Sequence, residues 1–158
     1  LVHFDARAKG LELRLELGAN VAGGREDDLR YPFISPDPFA GGRLLIGADA
    51  RLTWRGLLLS TEWDAGLFDP DDGALGSGWV WGFHGTVGYS FLEYLAAYVR
   101  WDHFDTSAVA GGEPSDRVVL SVASGTRGAA PVGAQIDYVI PVRDTDGMQL
   151  LINVLAVF

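Results

Sequence analysis

An antiparallel all-β fold made of membrane-crossing strands is what this sequence predicts, and three observations predict it. Apolar residues recur at every second position through most of the chain, connectors alternate between short and long, and the last segment alternates up to a terminal aromatic. Side chains of a strand point to opposite faces in turn, so such alternation marks strands with one apolar and one polar face. About 9–11 residues is the length a tilted strand needs to cross a bilayer, and several segments have it.

Nine segments follow in order. Val2–Ala8 comes first, and Leu11–Ala19 carries LELRLEL in near-perfect alternation. Leu44–Trp54 sets Leu44, Ile46, Ala48, Ala50, Leu52 and Trp54 against Asp49, Arg51 and Thr53. Leu57–Leu67 sets its leucines, Thr61, Trp63 and Ala65 against Ser60, Glu62 and Asp64. Gly78–Tyr89 has Trp79, Trp81, Phe83 and Tyr89 on one face and Gly82, His84, Thr86 and Gly88 on the other. Glu93–Asp105 opposes Leu95, Ala97, Val99 and Trp101 to Tyr94, Tyr98, Arg100 and Asp102. Arg117–Ser124, Val132–Val142 and Met148–Phe158 complete the set, and no segment has a helical period.

The connectors sort by length. Lys9-Gly10, Arg55-Gly56, Ser90–Leu92 and Thr126–Pro131 are short, whereas Val21–Arg43, Phe68–Ser77 and Thr106–Asp116 are long and Asp144–Gly147 is of moderate size. The Lys-Gly and Arg-Gly links suit tight hairpins in which glycine supplies the positive φ. Val21–Gly42 reads as the longest structureless stretch, placed either inside a lumen as a constriction or outside as a cap or subunit contact.

Composition agrees with a barrel. At 48% hydrophobic residues and a mean hydropathy of +0.14 the chain is too polar for a helical membrane protein, and no apolar run is long enough to span as a helix. A barrel hides its apolarity in alternation. A net charge of −9 argues against nucleic acid as a partner. No cysteine is present, and no cofactor motif is found. His3, His84 and His103 are too scattered for a metal site, and the acidic tips at Asp69–Gly73 and Asp144–Gly147 do not match the twelve-residue calcium loop. Ser60 and Ser121 fall on the polar face, which leaves no outward serine for a lipase-type site, so the chain reads as non-enzymatic.

The closing segment MQLLINVLAVF resembles the last strand of bacterial outer-membrane barrels, in which a terminal aromatic, here Phe158, is read by the assembly machinery. The resemblance implies the outer membrane, a periplasmic C-terminus, and lipid and lipopolysaccharide as surroundings. Short turns on one side and long loops on the other follow the same rule. Residues 1–158 then form one barrel domain, and nine strands with the first and last running downward imply at least one further strand, so the chain is expected to be the C-terminal part of a larger barrel.

An internal repeat sharpens this. Asp5-Ala6-Arg7, a turn, a leucine-rich strand and Glu16 recur as Asp49-Ala50-Arg51, a turn, a leucine-rich strand and Glu62. This unit resembles the hairpins of the phosphate-selective porin family, the porin O/P group. The stretch Leu92, Glu93, Tyr98, Arg100, Trp101, Phe104 and Asp105 is similar to another motif of that family, without its proline, and Arg117, Asp137-Tyr138 and Gln149-Leu150 with Phe158 follow in the family's order. The resemblance implies a trimeric, water-filled channel for small anionic solutes. The family's lysine clusters are absent, since the only lysine is Lys9 at a turn against 21 acidic residues, so phosphate selectivity is not carried over.

With the apolar faces against lipid, the opposite faces line a lumen. Glu12, Arg14, Glu16, Asp49, Arg51, Glu62, Asp64, His84, Arg100, Asp102, Arg117 and Asp137 are the candidate pore-lining residues, joined by Gln135 and Asn153. Trp54, Trp79, Trp81, Tyr89 and Trp101 are expected in the interfacial aromatic girdles. The function expected is passive diffusion of small hydrophilic or ionic solutes. The alternative is a small closed barrel acting as anchor or adhesin, in which the inward charges neutralise one another. The excess of acids leans a pore towards cations or weak selectivity.

Overall fold

The computed structural model describes residues 2–31, 35, 37–71, 73, 76–92, 95–110, 113–124, 132–142 and 148–156, with the side chains of 3, 9, 110, 132, 133 and 153–156 left aside. Nine strands run in chain order: β1 (Val2–Ala8), β2 (Leu13–Leu29), β3 (Phe39–Trp54), β4 (Leu57–Pro70), β5 (Gly78–Leu92), β6 (Leu95–Asp105), β7 (Ser115–Ser124), β8 (Val132–Pro141) and β9 (Gln149–Ala156). They form one antiparallel sheet in which each strand pairs with the next, so the topology is a simple meander. Its edges are β1 and β9, and among the described residues no pairing joins them. The sheet is barrel-like in pattern and open in this structure. None of the described helices is long and apolar enough to cross a membrane, a fact with no bearing on strands.

Alternation places each strand as the sequence suggests, but three local expectations need correction. Val21–Gly42 is not structureless: β2 continues to Leu29 and β3 begins at Phe39, pairing across a bulge between Glu26 and Leu29. Backbone hydrogen bonding extends the hairpin past the apolar stretch, beyond the point where alternation stops. The Lys9-Gly10 link is not a two-residue turn either. Lys9–Leu11 forms a 3-10 turn, Glu12 takes a positive φ of 52°, and pairing resumes only at Ala8↔Leu13. At Arg55-Gly56 the expectation holds: Trp54 pairs Leu57, and φ values of 46° and 88° make this a type I′ hairpin. The third departure is a four-residue helix, α1 (Ser107–Ala110), capped by Asp105, whose carboxylate accepts from the Ser107 amide at 2.8 Å.

Glycines on one face explain how the sheet curls. Gly18, Gly47, Gly66, Gly82 and Gly88 all occupy the face of the ionisable residues. Tyr98 lies over Gly88, where a Cβ would come within 2.1 Å of its ring, and Phe104 lies over Gly82. Lack of side-chain bulk there lets the sheet bend towards that face. The buried Val119, Ser121, Asp137 and Val139 share it, whereas the opposite face leaves Trp54, Val87, Val99 and Ile152 exposed. The ionisable face is therefore the concave one.

A dry cluster lies at one end of the concave face. Leu29, Phe39, Phe68 and Val80 are its buried members, with Tyr31, Leu45 and Val109 packed against them. The connectors after β2 and β6 thus both reach over the sheet at the same end. For α1 the approach is close: a Cβ on Gly78 would stand 2.8 Å from the Ala108 carbonyl oxygen.

Candidate functional site

Residues directly opposite one another in an antiparallel pair share a face, so the registers sort the candidate residues into rows across the concave surface. The longest ionisable row runs Asp49, Glu62, His84, Asp102 and Arg117 over β3 to β7. One row towards the short turns lie Asp5, Glu16, Arg51, Ser60, Thr86 and Arg100. The next holds Arg7 opposite Arg14 and, further along the sheet, Ser121 opposite Asp137. Asp64 lies on the other side of the first row, opposite Gly47 and Gly82. Eleven of the twelve candidate pore-lining residues fall in these rows. Glu12 does not: it sits in the turn before β2 and belongs to no inward row. Gln135 holds an inward register position and donates to Asp137 at 2.7 Å, while Asn153 shares that row opposite Gln135.

Two charge environments coexist. In the β1–β2 hairpin Arg14 bridges the facing acids of the next row, 2.9 Å from Asp5 and 2.8 Å from Glu16, and Arg7 approaches Asp5 at 3.2 Å. On β6 and β7 Arg100 bonds Asp102 at 2.8 Å, and Arg117 comes within 3.8 Å of the same carboxylate. Between these lie Asp49, Glu62 and Asp64, which no arginine bonds among the described residues. Of the basic side chains described, His84 is the one that approaches them, 3.6 Å from Glu62. Coulomb attraction for a mobile cation is therefore greatest over β3 and β4.

Room for those carboxylates is made by glycines that alternation alone does not single out. A Cβ on Gly18 would fall 2.1 Å from an Asp49 oxygen, and one on Gly47 would fall 2.3 Å from an Asp64 oxygen and 2.8 Å from the Asn20 amide. Asp5 and Arg7 also belong to the site. Their phase in Val2–Ala8 is the signal that identifies them in the sequence.

The surface opposite is apolar on every strand. Trp54 and Tyr89 lie in its row nearest the short turns, and Trp79 and Trp81 lie at the connector end. Trp101, opposite Gly85, sits at mid-height and not in a marginal belt, as does Trp63. Ionisable residues on this face include Arg25, Asp69 and Asp105 near the connector ends of their strands, and His103 and Asp116, which bond each other at 2.7 Å with Trp81 tilted against the imidazole at 4.5 Å. Ser60 and Ser121 are on the concave face as expected. Phe158, Thr126–Pro131 and Asp144–Gly147 lie outside the described residues. Among the described residues no group of His, Asp or Glu is arranged to hold a metal ion.

A cavity of about 570 Å³ occupies the concave side where the dry cluster meets the ionisable rows, with Tyr31 and Phe68 at one end and Glu62, Asp64, His84 and Arg100 at the other. Its size suits a small solute, and its walls offer both signs of charge. Comparison with protein-family models, with curated proteins and with solved structures finds no match for this chain.

Proposed function

We propose that this chain forms part of the wall of an outer-membrane β-barrel that passes small hydrophilic or ionic solutes by diffusion. The observation that carries the reading is the segregation of side chains between the two faces. Large exposed apolar residues of the paired strands gather on the convex face, Phe104 and Leu151 being concave exceptions, while the ionisable rows line the other. Water does not favour so extensive an apolar surface. Hydrocarbon does. From Leu13 to Gly23 the strand rises about 33 Å, which a tilt of about 40° reduces to a height of about 25 Å, that of the apolar band of such barrels.

The reading has two physical requirements. Unpaired N–H and C=O groups along β1 and β9 are not tolerated in hydrocarbon, so in a membrane these edges must be paired, with one another or with further strands. A wet lumen needs no catalytic group, because diameter and fixed charge suffice for selectivity. Association as a trimer, surrounded by lipid and lipopolysaccharide, belongs to the same proposal, on the strength of the resemblance to porins.

Planar-bilayer recording of the full-length protein under a salt gradient tests the channel. Discrete conductance steps with a modest cation preference are the expected result. Protein that inserts but gives no step would overturn the channel and favour the anchoring barrel.

A further inference from the structure

We infer that Tyr31 is the residue that limits solute size at the connector end of the lumen, an inference that rests on the channel reading above. Along β4 the concave positions Glu62, Asp64, Gly66 and Phe68 follow one another, so Phe68 stands about 13 Å along the strand from Asp64. Its ring folds back over Gly66, where a Cβ would meet it at 2.7 Å. Phe68 therefore lies against the sheet as a first layer. Tyr31 stands on it as a second layer, edge to face with ring centroids 4.7 Å apart, and both rings line the cavity.

Tyr31 is held there from a second side. Arg43, a concave residue of β3 opposite Phe68, donates to the Tyr31 hydroxyl, lies 5.8 Å from its ring centroid and pairs with Glu26 on β2. Phe68 fixes the ring's position and Arg43 fixes its hydroxyl end. A side chain held by both packing and charge is a stationary rim. On its lumen side lies the cavity that leads to Glu62 and Asp64, so a solute entering from the connector end must pass the Tyr31 ring before it reaches the carboxylates. The rim is a size filter, and the acidic row beyond it is the charge filter.

The chain contains no cysteine, which makes a single introduced thiol a clean reporter. Asp64→Cys in the full-length, membrane-inserted protein would be treated from the connector side with a small and a bulky membrane-impermeant thiol reagent. The same is done with Tyr31→Ala and with Tyr31→Phe, and His84→Cys serves as a second reporter should Asp64→Cys fold poorly. The small reagent is expected to label well in all backgrounds. The bulky reagent should label slowly when Tyr31 is intact and in the Tyr31→Phe background, which keeps the ring. It should label roughly tenfold faster with Tyr31→Ala, because only the ring sets the aperture. Equal labelling by both reagents in every background, or no labelling at all, would overturn the inference. Conductance recorded on the same variants separates the two claims: no current in any of them with size-dependent labelling intact would sink the channel and leave the rim standing.

Discussion

Two hairpins of this sheet carry the same sequence unit and solve it differently. In β1–β2 and β3–β4 the paired acids correspond: Asp5 faces Glu16, and Asp49 faces Glu62. In the first, Arg14 bonds both carboxylates. The equivalent position in the second, two residues before Glu62 and opposite Arg51, is Ser60. The first pair is neutralised, whereas the second keeps its field and has the cavity beside it. One substitution within a repeat thus decides whether two facing acids are a structural ion-pair network or a charged wall. Their turns diverge as well. The first is a four-residue link with strain at Glu12, and the second is a type I′ turn resting on Gly56.

The largest effect should come from the turns. Gly56 has a φ of 88°, and a Cβ there would also meet the Ser90 carbonyl oxygen at 2.8 Å. Gly56→Ala is expected to lower unfolding free energy in detergent by about 2–3 kcal/mol, combining left-handed strain with overpacking. Gly10, with open space around it and no positive φ, should accept alanine within about 0.5 kcal/mol. Equal losses at both positions would mean that the two turns do not differ as described.

Next comes the charge. Ser60→Arg would give the second hairpin the arginine that the first possesses, two residues before Glu62 and within reach of Asp49. Cation preference, read from the reversal potential under a salt gradient, should then fall about fivefold, the factor that about 1 kcal/mol of Coulomb attraction at solvent dielectric produces. An unchanged reversal potential would show that ions do not pass over β3 and β4.

The smallest effect concerns Glu12. Its φ of 52° costs a non-glycine residue, so Glu12→Gly should stabilise the protein by about 0.5 kcal/mol, part of the relief being offset by the greater freedom of glycine in the unfolded chain. A clear loss of stability in denaturant unfolding would mean that the Glu12 side chain makes a contribution its turn position does not suggest.

Most of the site is legible in the sequence because alternation fixes the face on which each strand residue lies. Asp49, Arg51, Glu62, Asp64, His84, Arg100 and Asp102 can be assigned inward with no partner known. Glu12 is misplaced because LELRLEL keeps perfect phase through Leu11 and Glu12, and phase does not reveal where pairing begins. The 3-10 turn ends that phase one residue before Leu13. Val21–Gly42 misleads for the opposite reason. Its residues lack alternation, but β2 and β3 pair through main-chain hydrogen bonds that make no demand on side chains.

By itself the sequence determined the all-β class, the nine segments, the two-faced character of each strand and the tight hairpin at Arg55-Gly56, because period and turn chemistry are local properties of the chain. Register was decided only by the tertiary structure. Which acid faces which base depends on how far each turn shifts one strand against the next. That shift sets Arg14 between two carboxylates, clears space for Asp49 and Asp64 over Gly18 and Gly47, and brings Tyr31 onto Phe68 across residues far apart in the chain. The opening between β1 and β9 belongs to the same level, since edges arise only from the order in which strands pair.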